Sequence, residues 1–350
     1  MISVLIKNVN QNFIWWFTIH PCMLGRELID SCMSKVLSGK RISISEAMQL
    51  IQLDQEYIPF LLDAANTIRK EFNGDRVDVE SLINAKSGNC SENCAFCAQS
   101  AWYKTNISKY PLLSSDTIVE RAYKAKCSGA KSFCIVCAWR EPREEEFEHI
   151  CDAIKAIHDK VGIDVNCSLG FLNERRAERL KALGVKRYNH NLEASSSFFA
   201  NICTTHTWYD RFRTAKIVKE HGLELCSGGI IGMGESIKQR LELAFEASML
   251  EPEEFPLNIL IAREGTPLYN NKSISALEPI EILKTIAVFR FIMPRCIIKL
   301  AGGRELHLRE HQGRALLAGA NGIITNGYLT VGGNNAYEDI AMIRSLGLKV

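Results

Sequence analysis

The stretch Cys90-Ser-Glu-Asn-Cys94-Ala-Phe-Cys97 places three cysteines within eight residues, at spacings of four and three. One short loop can wrap such a set around a single iron–sulfur cluster, whose usual ligands are protein thiolates, normally four per cluster. Three local cysteines without an obvious fourth indicate a cluster with one open iron, and an open metal position is typical of a catalytic site. A structural zinc loop is a weaker alternative, because such loops usually pair two thiols with a second pair elsewhere. Simple core filling is weaker still, because the intervening residues are mostly polar.

The composition is that of a soluble globular protein. The chain has 350 residues, of which 47% are hydrophobic and 23% charged, enough for one large barrel or two ordinary domains. A net charge of +2 gives no sign of a polyanion-binding surface. The thirteen cysteines are scattered and odd in number, which is unlike a disulfide framework. We therefore expect a thiol-rich enzyme in a reducing, cytoplasmic compartment.

The first 75 residues divide into two predicted parts. Residues 1–25 are interpreted as a peripheral extension, because their apolar run at 13–17 is too short to span a bilayer and makes a poor signal peptide. An upstream start codon, with Met23 as the functional one, is the alternative. Residues 26–75 have helical periodicity, with Ser43 or Ser45 as a helix cap, and are predicted to form an N-terminal helical cap.

Residues 76–350 alternate short β-branched runs with longer segments of helical period. This pattern predicts an α/β fold, a (βα)8 TIM-type barrel with an N-terminal helical extension. A doubly wound sheet is the alternative on periodicity alone. The eight predicted strands lie at 77–85, 132–136, 163–167, 187–191, 223–226, 255–261, 297–300 and 322–325.

Three of these strands carry a cysteine: Cys134 in the second, Cys167 in the third and Cys226 in the fifth. Alternate residues of a barrel strand point inward, so one thiol from each strand could meet inside the barrel. A free cysteine is also often just a small buried hydrophobic residue. The residues alone leave open both a second cluster and three buried thiols.

The cysteine loop, a C-x3-C-x2-C pattern with an aromatic residue before the last cysteine, resembles the signature of the radical S-adenosylmethionine (SAM) superfamily. Its wider context, residues 84–100, is similar to the biotin synthase family. The resemblance implies a 4Fe-4S cluster on Cys90, Cys94 and Cys97 that binds and reductively cleaves SAM. It further implies a sulfurtransferase that inserts sulfur into dethiobiotin to form biotin, with no catalytic residues beyond the clusters.

The resemblance also implies a second, auxiliary iron–sulfur cluster, 2Fe-2S or a larger variant, that acts as the sulfur donor. Cys134, Cys167 and Cys226 match the family's ligand segments for that cluster. The family's fourth ligand is an arginine, and Lys299 stands at its position here. A lysine is not equivalent to an arginine, because an ammonium is a point charge and can ligate a metal only as the neutral amine.

Two further cysteines are candidates for the fourth auxiliary ligand. Cys137 and Cys296 each lie three residues from a ligand position. An offset of three on a regular strand points to the opposite face, unless the strand bulges or has ended. We expect a changed auxiliary cluster rather than a lost one.

The remaining site residues are assigned by the same resemblance. Asn189 and Asn258 are expected to bind dethiobiotin, and Thr330 to reach its carboxylate tail. Arg211 is expected to pair with the carboxylate of SAM, and Asn191 and Glu193 to bind its ribose. The other expected SAM contacts are Phe96, in place of a common tyrosine, and the glycine-rich backbone at Gly229, Ile230 and Gly232.

The expected partners are dethiobiotin, SAM and a reductant such as flavodoxin or ferredoxin. The protein is expected to form a homodimer and to bind neither nucleic acid nor membrane. One alternative is another barrel-type radical SAM enzyme that acts on a different small molecule. A non-catalytic iron–sulfur redox protein is an alternative from a different class. Cys203 and the other remaining cysteines are interpreted as structural, and the eight histidines show no metal-ligand spacing.

Overall fold

The computed structural model describes residues 21–329 and 332–350, with side chains from residue 25 onward. The predicted extension at residues 1–25 therefore lies largely outside the described residues, as does Thr330. The first described helix, α1, spans Pro21–Leu37, so the boundary expected between residues 25 and 26 falls inside it.

Within the described residues, the strands form one closed parallel barrel, which confirms the predicted fold class. The strand order is β5-β4-β3-β2-β1-β9-β8-β7-β6, and an extra pairing of β5 with β7 closes the sheet. β5 and β6 are separated by two residues and both pair with β7, so they are two parts of one barrel strand. The strands are β1 (Asp78–Lys86), β2 (Ser132–Cys137), β3 (Asp164–Ser168), β4 (Arg187–Asn189), β5 (Glu224–Cys226), β6 (Gly229–Ile231), β7 (Glu254–Ile259), β8 (Ile297–Leu300) and β9 (Gly322–Thr325).

Helices surround the barrel, as the alternating sequence pattern predicts. Pro279 lies in the first turn of its helix, where its missing N–H costs no hydrogen bond. The helices that follow α1 are α2 (Ile44–Ile51), α3 (Ile58–Asn73), α4 (Ser115–Cys127), α5 (Glu144–Lys160), α6 (Glu174–Ala182), α7 (Trp208–Glu220), α8 (Ile237–Ser248), α9 (Pro279–Ile292), α10 (Arg304–His307), α11 (Gln312–Leu316) and α12 (Ala336–Ser345).

The N-terminal helices pack against the outside of the barrel, where α2 and α3 contact α8 and α9. Ser43, one of the two predicted caps, begins α2. Its hydroxyl accepts from the Glu46 N–H at 3.2 Å, and its own N–H donates to the Glu46 carboxylate at 2.6 Å. This reciprocal capping box satisfies two backbone donors that the helix leaves unpaired.

The pairing register shows which residues face the barrel interior. Residues paired across parallel strands share a face, and successive residues alternate between faces. Leu82 pairs with Cys134, and Cys134 with Asn166. Leu82 and Cys134 line the central cavity, so this row faces inward. None of the described helices is long and apolar enough to cross a membrane.

Candidate active site

The barrel encloses a cavity of about 320 Å³ that brings most of the predicted site residues together. Its walls come from the cysteine loop after β1 and from the carboxyl ends of the strands, where barrel enzymes place their chemistry. The predicted residues that line it are Cys90, Cys94, Phe96, Cys97, Cys134, Cys137, Asn189, Asn191, Glu193, Arg211, Ile230 and Asn258.

The cysteine loop is held in place by backbone hydrogen bonds. The Cys90 N–H donates to the Gln99 carbonyl at 3.0 Å, and the Cys97 N–H donates to the Cys94 carbonyl at 2.9 Å. All three thiols face the cavity, and burial raises the pKa of Cys97 to about 11. Metal binding must therefore displace a proton that the buried thiol otherwise keeps. Three converging thiols beside an open cavity fit a 4Fe-4S cluster with one iron facing the cavity.

Arg211 lies where the resemblance expects the carboxylate of SAM. Its Nη1 donates to the Asn191 carbonyl oxygen at 3.0 Å, and its Nη2 lies 4.0 Å from the Cys94 sulfur. The Glu193 carboxylate lies 3.7 Å from Nη1 and is itself buried, which raises its pKa. The arrangement places a cation, an amide and a carboxylate beside the cysteine loop.

The glycine-rich segment passes close to Glu193. The Ile230 N–H donates to the Glu193 carbonyl at 2.9 Å, and a Cβ on Gly229 would lie 2.6 Å from that same oxygen. Gly232 adopts φ +87°, a conformation that favours glycine, and its N–H donates to the Glu235 carboxylate at 2.8 Å. Glycine at position 229 therefore lets the backbone pass close to Glu193, and glycine at position 232 permits the left-handed conformation.

Sequence reasoning missed a hydrogen-bonded chain that links the cysteine loop to Arg211. Glu92, between the first two cysteines, accepts from Thr205 Oγ1 at 2.6 Å, from Arg140 Nη1 at 3.1 Å and from His206 Nδ1. On the other side of its ring, His206 Nε2 accepts from Arg211 Nε at 2.9 Å. The buried His206 imidazole therefore connects the Glu92 carboxylate to the Arg211 guanidinium. No sequence spacing indicates this contact, because Glu92 and His206 are far apart in the chain.

Cys203, which the sequence analysis interprets as structural, lies beside the cysteine loop. Its sulfur lies 3.9 Å from the Cys94 sulfur and 3.3 Å from His206 Nδ1. The Cys94, Cys203 and His206 donor atoms all lie within 4.8 Å of one another. The three-residue step from Cys203 to His206 is the only sequence signal for this cluster, and it is a weak one.

The two amides expected to bind dethiobiotin differ in their surroundings. Asn189 Nδ2 donates to the Cys134 sulfur at 3.4 Å, whereas its Oδ1 has no partner among the described residues and is free to accept from a ligand. Asn258 is tied into the barrel, because its Nδ2 donates to the Gly229 carbonyl at 3.3 Å and its Oδ1 accepts from the Gly302 N–H at 3.0 Å. Asn258 shapes the cavity wall and has one N–H left for a ligand.

Deeper in the barrel than Asn189 and Asn258, the interior is filled by charged side chains. Lys299 is fully buried, and its Nζ lies 2.7 Å from a carboxylate oxygen of each of Asp78, Glu80 and Glu254. Arg187 also pairs with Glu254. We call this set of charged residues the barrel floor: Asp78, Glu80, Arg187, Glu254 and Lys299. Burial by itself lowers the pKa of Lys299, but the three carboxylates outweigh it and hold the pKa well above its ordinary value. An amine with three carboxylate partners is an ammonium, which has no lone pair. In this state Lys299 cannot act as a metal ligand.

The expectation that three cysteines meet inside the barrel needs correction at Cys167. On β3, Asn166 is in the inward row with Cys134, so Cys167 faces the helices; it lies in the outer hydrophobic core together with Cys151 of α5. Cys226 does face inward, and its thiol donates to Glu254 Oε1 at 3.1 Å. The predicted auxiliary ligand set therefore contributes two inward thiols, not three.

Cys137 and Cys296, the alternative fourth ligands, also belong to the outer core. Cys137 follows the outward-facing Ile135 by two residues, although it reaches the rim of the cavity. Cys296 precedes β8, and its carbonyl accepts from Arg290 Nη1 of α9 at 2.7 Å. Neither is brought together with Cys134 and Cys226. The cysteine loop therefore fits its cluster, whereas the predicted donor set for the auxiliary cluster does not fit.

Comparisons with known proteins place the chain among radical SAM proteins. The profile of the Radical SAM superfamily matches residues 85–247, and that of the Biotin and Thiamin Synthesis associated domain matches residues 256–349. Among solved structures, a methylornithine synthase superposes with a TM-score of 0.78 at 19% identity, covering 91% of this chain and 96% of the other. An FeFe-hydrogenase maturase from Carboxydothermus hydrogenoformans also gives a TM-score of 0.78, at 19% identity, covering 93% of this chain and 80% of the other. At these identities the likeness shows the fold alone.

Curated relatives are much more similar in sequence. A biotin synthase of Nitrosopumilus maritimus is 50% identical over 92% of this chain and 98% of its own length. A biotin synthase of Cenarchaeum symbiosum is 50% identical over 92% and 99%, and one of Pelotomaculum thermopropionicum is 43% identical over 92% and 100%. With this similarity along 92% of the chain, and with the three cysteines of the loop lining one cavity, the chain belongs to the biotin synthase family of radical SAM enzymes.

Proposed function

We propose that this enzyme converts dethiobiotin to biotin by radical sulfur insertion. The observation that carries the proposal is the shared cavity, which Cys90, Cys94 and Cys97 line together with Arg211 and Asn189. A radical-forming centre and a ligand-binding amide then face one enclosed volume. No pair of acid–base side chains could activate the unreactive carbons of such a substrate, whereas a cluster-dependent radical can.

When bound, the 4Fe-4S cluster and SAM supply a carbon radical able to abstract hydrogen from an unactivated carbon. The chain's own residues do the positioning. Arg211 holds the carboxylate of SAM, Asn191 and Glu193 hold the ribose, and the backbone around Ile230 receives the adenine. Fixed partners of this kind reduce the entropy that is lost in bringing the radical and the substrate carbon together.

Asn189 holds dethiobiotin through its unpartnered Oδ1, which can accept a hydrogen bond from a ureido N–H. A buried acceptor of this kind costs free energy until a ligand donates to it, so the contact contributes to both affinity and orientation. Its Nδ2 points at Cys134 on the floor side. The Asn189 side chain therefore lies between the bound substrate and Cys134.

The sulfur is proposed to come from a second iron–sulfur centre in the barrel floor, as the family resemblance implies. We further propose an external reductant such as flavodoxin or ferredoxin, a homodimer and a cytoplasmic location. The resemblance supports the reductant and the homodimer, and the free cysteines among the described residues support a reducing compartment.

The test is anaerobic reconstitution with iron and sulfide, followed by incubation with SAM, a reductant and dethiobiotin. Mass spectrometry should detect both 5′-deoxyadenosine and biotin, and a Cys94→Ala control should form neither. SAM cleavage without any biotin would contradict the proposal and favour a barrel-type radical SAM enzyme acting on another small molecule. Iron that is redox-active in a protein that never cleaves SAM would instead favour a redox carrier.

A further inference from the structure

Cys203 places a further thiol against the middle cysteine of the loop. Its sulfur lies 3.9 Å from the Cys94 sulfur, although the two residues are 109 positions apart in the chain. The expected 4Fe-4S cluster takes its thiolates from the three loop cysteines alone, so Cys203 is not among its ligands. Both side chains are buried, and Cys94 also lines the central cavity. A small molecule that enters the cavity of a cluster-free chain therefore meets Cys94, with the Cys203 sulfur in contact with it.

Hydrogen bonds between two short segments hold the two cysteines side by side. The Ala95 N–H donates to the Ile202 carbonyl oxygen at 2.7 Å, and these residues directly follow Cys94 and directly precede Cys203. Asn93 adds a clamp, because its Oδ1 accepts from the two successive backbone N–H groups after Cys203, at 3.0 and 3.2 Å. None of these bonds involves a metal. The pair therefore stays together without a cluster, and only the side chains need to move to reach the S–S bond length of about 2 Å.

A metal ion on this pair would need His206 as a third donor, and the hydrogen bonds of His206 argue against that. The donor atoms of Cys94, Cys203 and His206 lie within 4.8 Å of one another. However, His206 Nε2 accepts from Arg211 Nε at 2.9 Å, so the imidazole carries its proton on Nδ1. That N–H faces Glu92 and lies 3.3 Å from the Cys203 sulfur. A protonated nitrogen has no lone pair for a metal, so the arrangement suits a bond between the two sulfurs instead.

We propose that Cys94 and Cys203 form a reversible disulfide when hydrogen peroxide has destroyed the loop cluster. The Cys94 sulfur attacks one peroxide oxygen, the O–O bond breaks, and a sulfenic acid and one water form. The Cys203 sulfur then displaces the hydroxyl group as a second water, so two thiols and one hydrogen peroxide give one disulfide and two waters. The disulfide keeps Cys94 from further oxidation to a sulfinic acid, which thiol reductants do not reverse. Reduction then returns the cluster ligand, whichever substrate the barrel takes.

The test uses the full chain, reconstituted anaerobically with iron and sulfide and then treated with hydrogen peroxide until the absorbance of the cluster is lost. Free thiols are alkylated, and peptide mass spectrometry identifies the state of each cysteine. The wild-type protein should give two peptides joined through Cys94 and Cys203. Reduction with dithiothreitol and a second reconstitution should restore its iron count. Cys203→Ser should give no joined peptides, should carry sulfinic or sulfonic acid at Cys94, and should lose most of the iron that the wild type regains.

Cys151→Ser is the matched control, since Cys151 is also buried but lies in the outer core, and it should behave as the wild type does. Wild-type Cys94 that is joined to Cys90 or Cys97, or that is oxidised beyond the disulfide, would overturn the inference. Full recovery of iron by Cys203→Ser would also overturn it. If Cys203→Ser does not bind the first cluster, the wild-type peptides alone decide. No readout involves dethiobiotin, so the result is independent of the proposed function.

Discussion

Asn166 and Cys167 are neighbours in the chain, but they face opposite sides of the sheet. Both side chains are fully buried, so burial alone does not distinguish them. A shift of one residue in a strand exchanges its two faces. Asn166 and Cys167 are adjacent in β3, and either one could face the barrel interior. Only the pairing of β3 with β2 and β4 shows that Asn166 does. This is why the predicted auxiliary donor set was wrong at one position.

Replacing Cys167 with Ala should affect stability rather than chemistry. The side chain packs in the outer core, so truncation leaves a small cavity and should cost about 1 kcal/mol of unfolding free energy. Biotin yield per reconstituted chain should stay at the wild-type level. Urea denaturation and a single-turnover biotin assay measure the two quantities, with Cys134→Ala as the matched inward variant, which should lose biotin formation. A Cys167→Ala variant that makes no biotin while remaining folded would contradict the assignment.

His206 is expected to position Arg211 for SAM. A His206→Phe variant keeps a buried ring but removes the acceptor for Arg211 Nε and the donor to Glu92. Hydrogen bonds to charged groups contribute about 1.5–3 kcal/mol, so SAM affinity should fall at least about tenfold. Equilibrium SAM binding to the reconstituted protein measures the effect.

The matched control is His311→Phe, at a partly exposed histidine whose Nε2 lies 3.7 Å from the Glu310 carboxylate. The control should bind SAM normally. Unchanged SAM affinity in His206→Phe, with the cluster intact by iron count, would show that Arg211 does not depend on the imidazole.

At the scale of elements, the alternation of strands and helices could be predicted because each βα unit carries a clear change of hydrophobic period. The fifth barrel strand is less regular than the sequence indicates, since two residues interrupt it before Gly229–Ile231 continues it. That break lets the glycine-rich backbone turn toward Glu193. The charged residues Asp78 and Glu80 of β1 and Glu254 of β7 were assigned to no site in the sequence, because their ion pairs join strands that are distant in the chain.

The ion pairs of Lys299 join three strands, β1, β7 and β8, and the stability of this part of the barrel should depend on its charge. Lys299→Met leaves three carboxylates, of which Glu80 and Glu254 are fully buried, without their shared cation. Breaking a buried ion pair in this way costs about 3–5 kcal/mol. Urea unfolding of the metal-free protein should show this loss. Lys299→Arg, which keeps the charge, is the control and should lose much less stability. Equal losses in the two variants would mean that side-chain shape, not charge, determines the stability of the floor.

At the scale of the whole molecule, the barrel separates two regions of different chemistry. The cysteine loop and Arg211 lie at the open end of the cavity, and Cys134, Cys226 and the charged floor lie deeper inside. The barrel, and a cysteine loop that lines its cavity, could be predicted from local sequence patterns. The floor could not, because its charge balance and its two-thiol geometry arise only when six strands come together.

The measurement that tests the account most directly follows the sulfur atom. The protein is reconstituted anaerobically with a heavy isotope of sulfide, freed of unbound sulfide, and given dethiobiotin, SAM and reductant for a single turnover. Mass spectrometry of the product should show biotin carrying the heavy isotope, and Cys226→Ser should form no labelled biotin while still cleaving SAM. Biotin formed in normal yield without the label, or labelled biotin from Cys226→Ser, would contradict a sulfur-donating centre on the barrel floor.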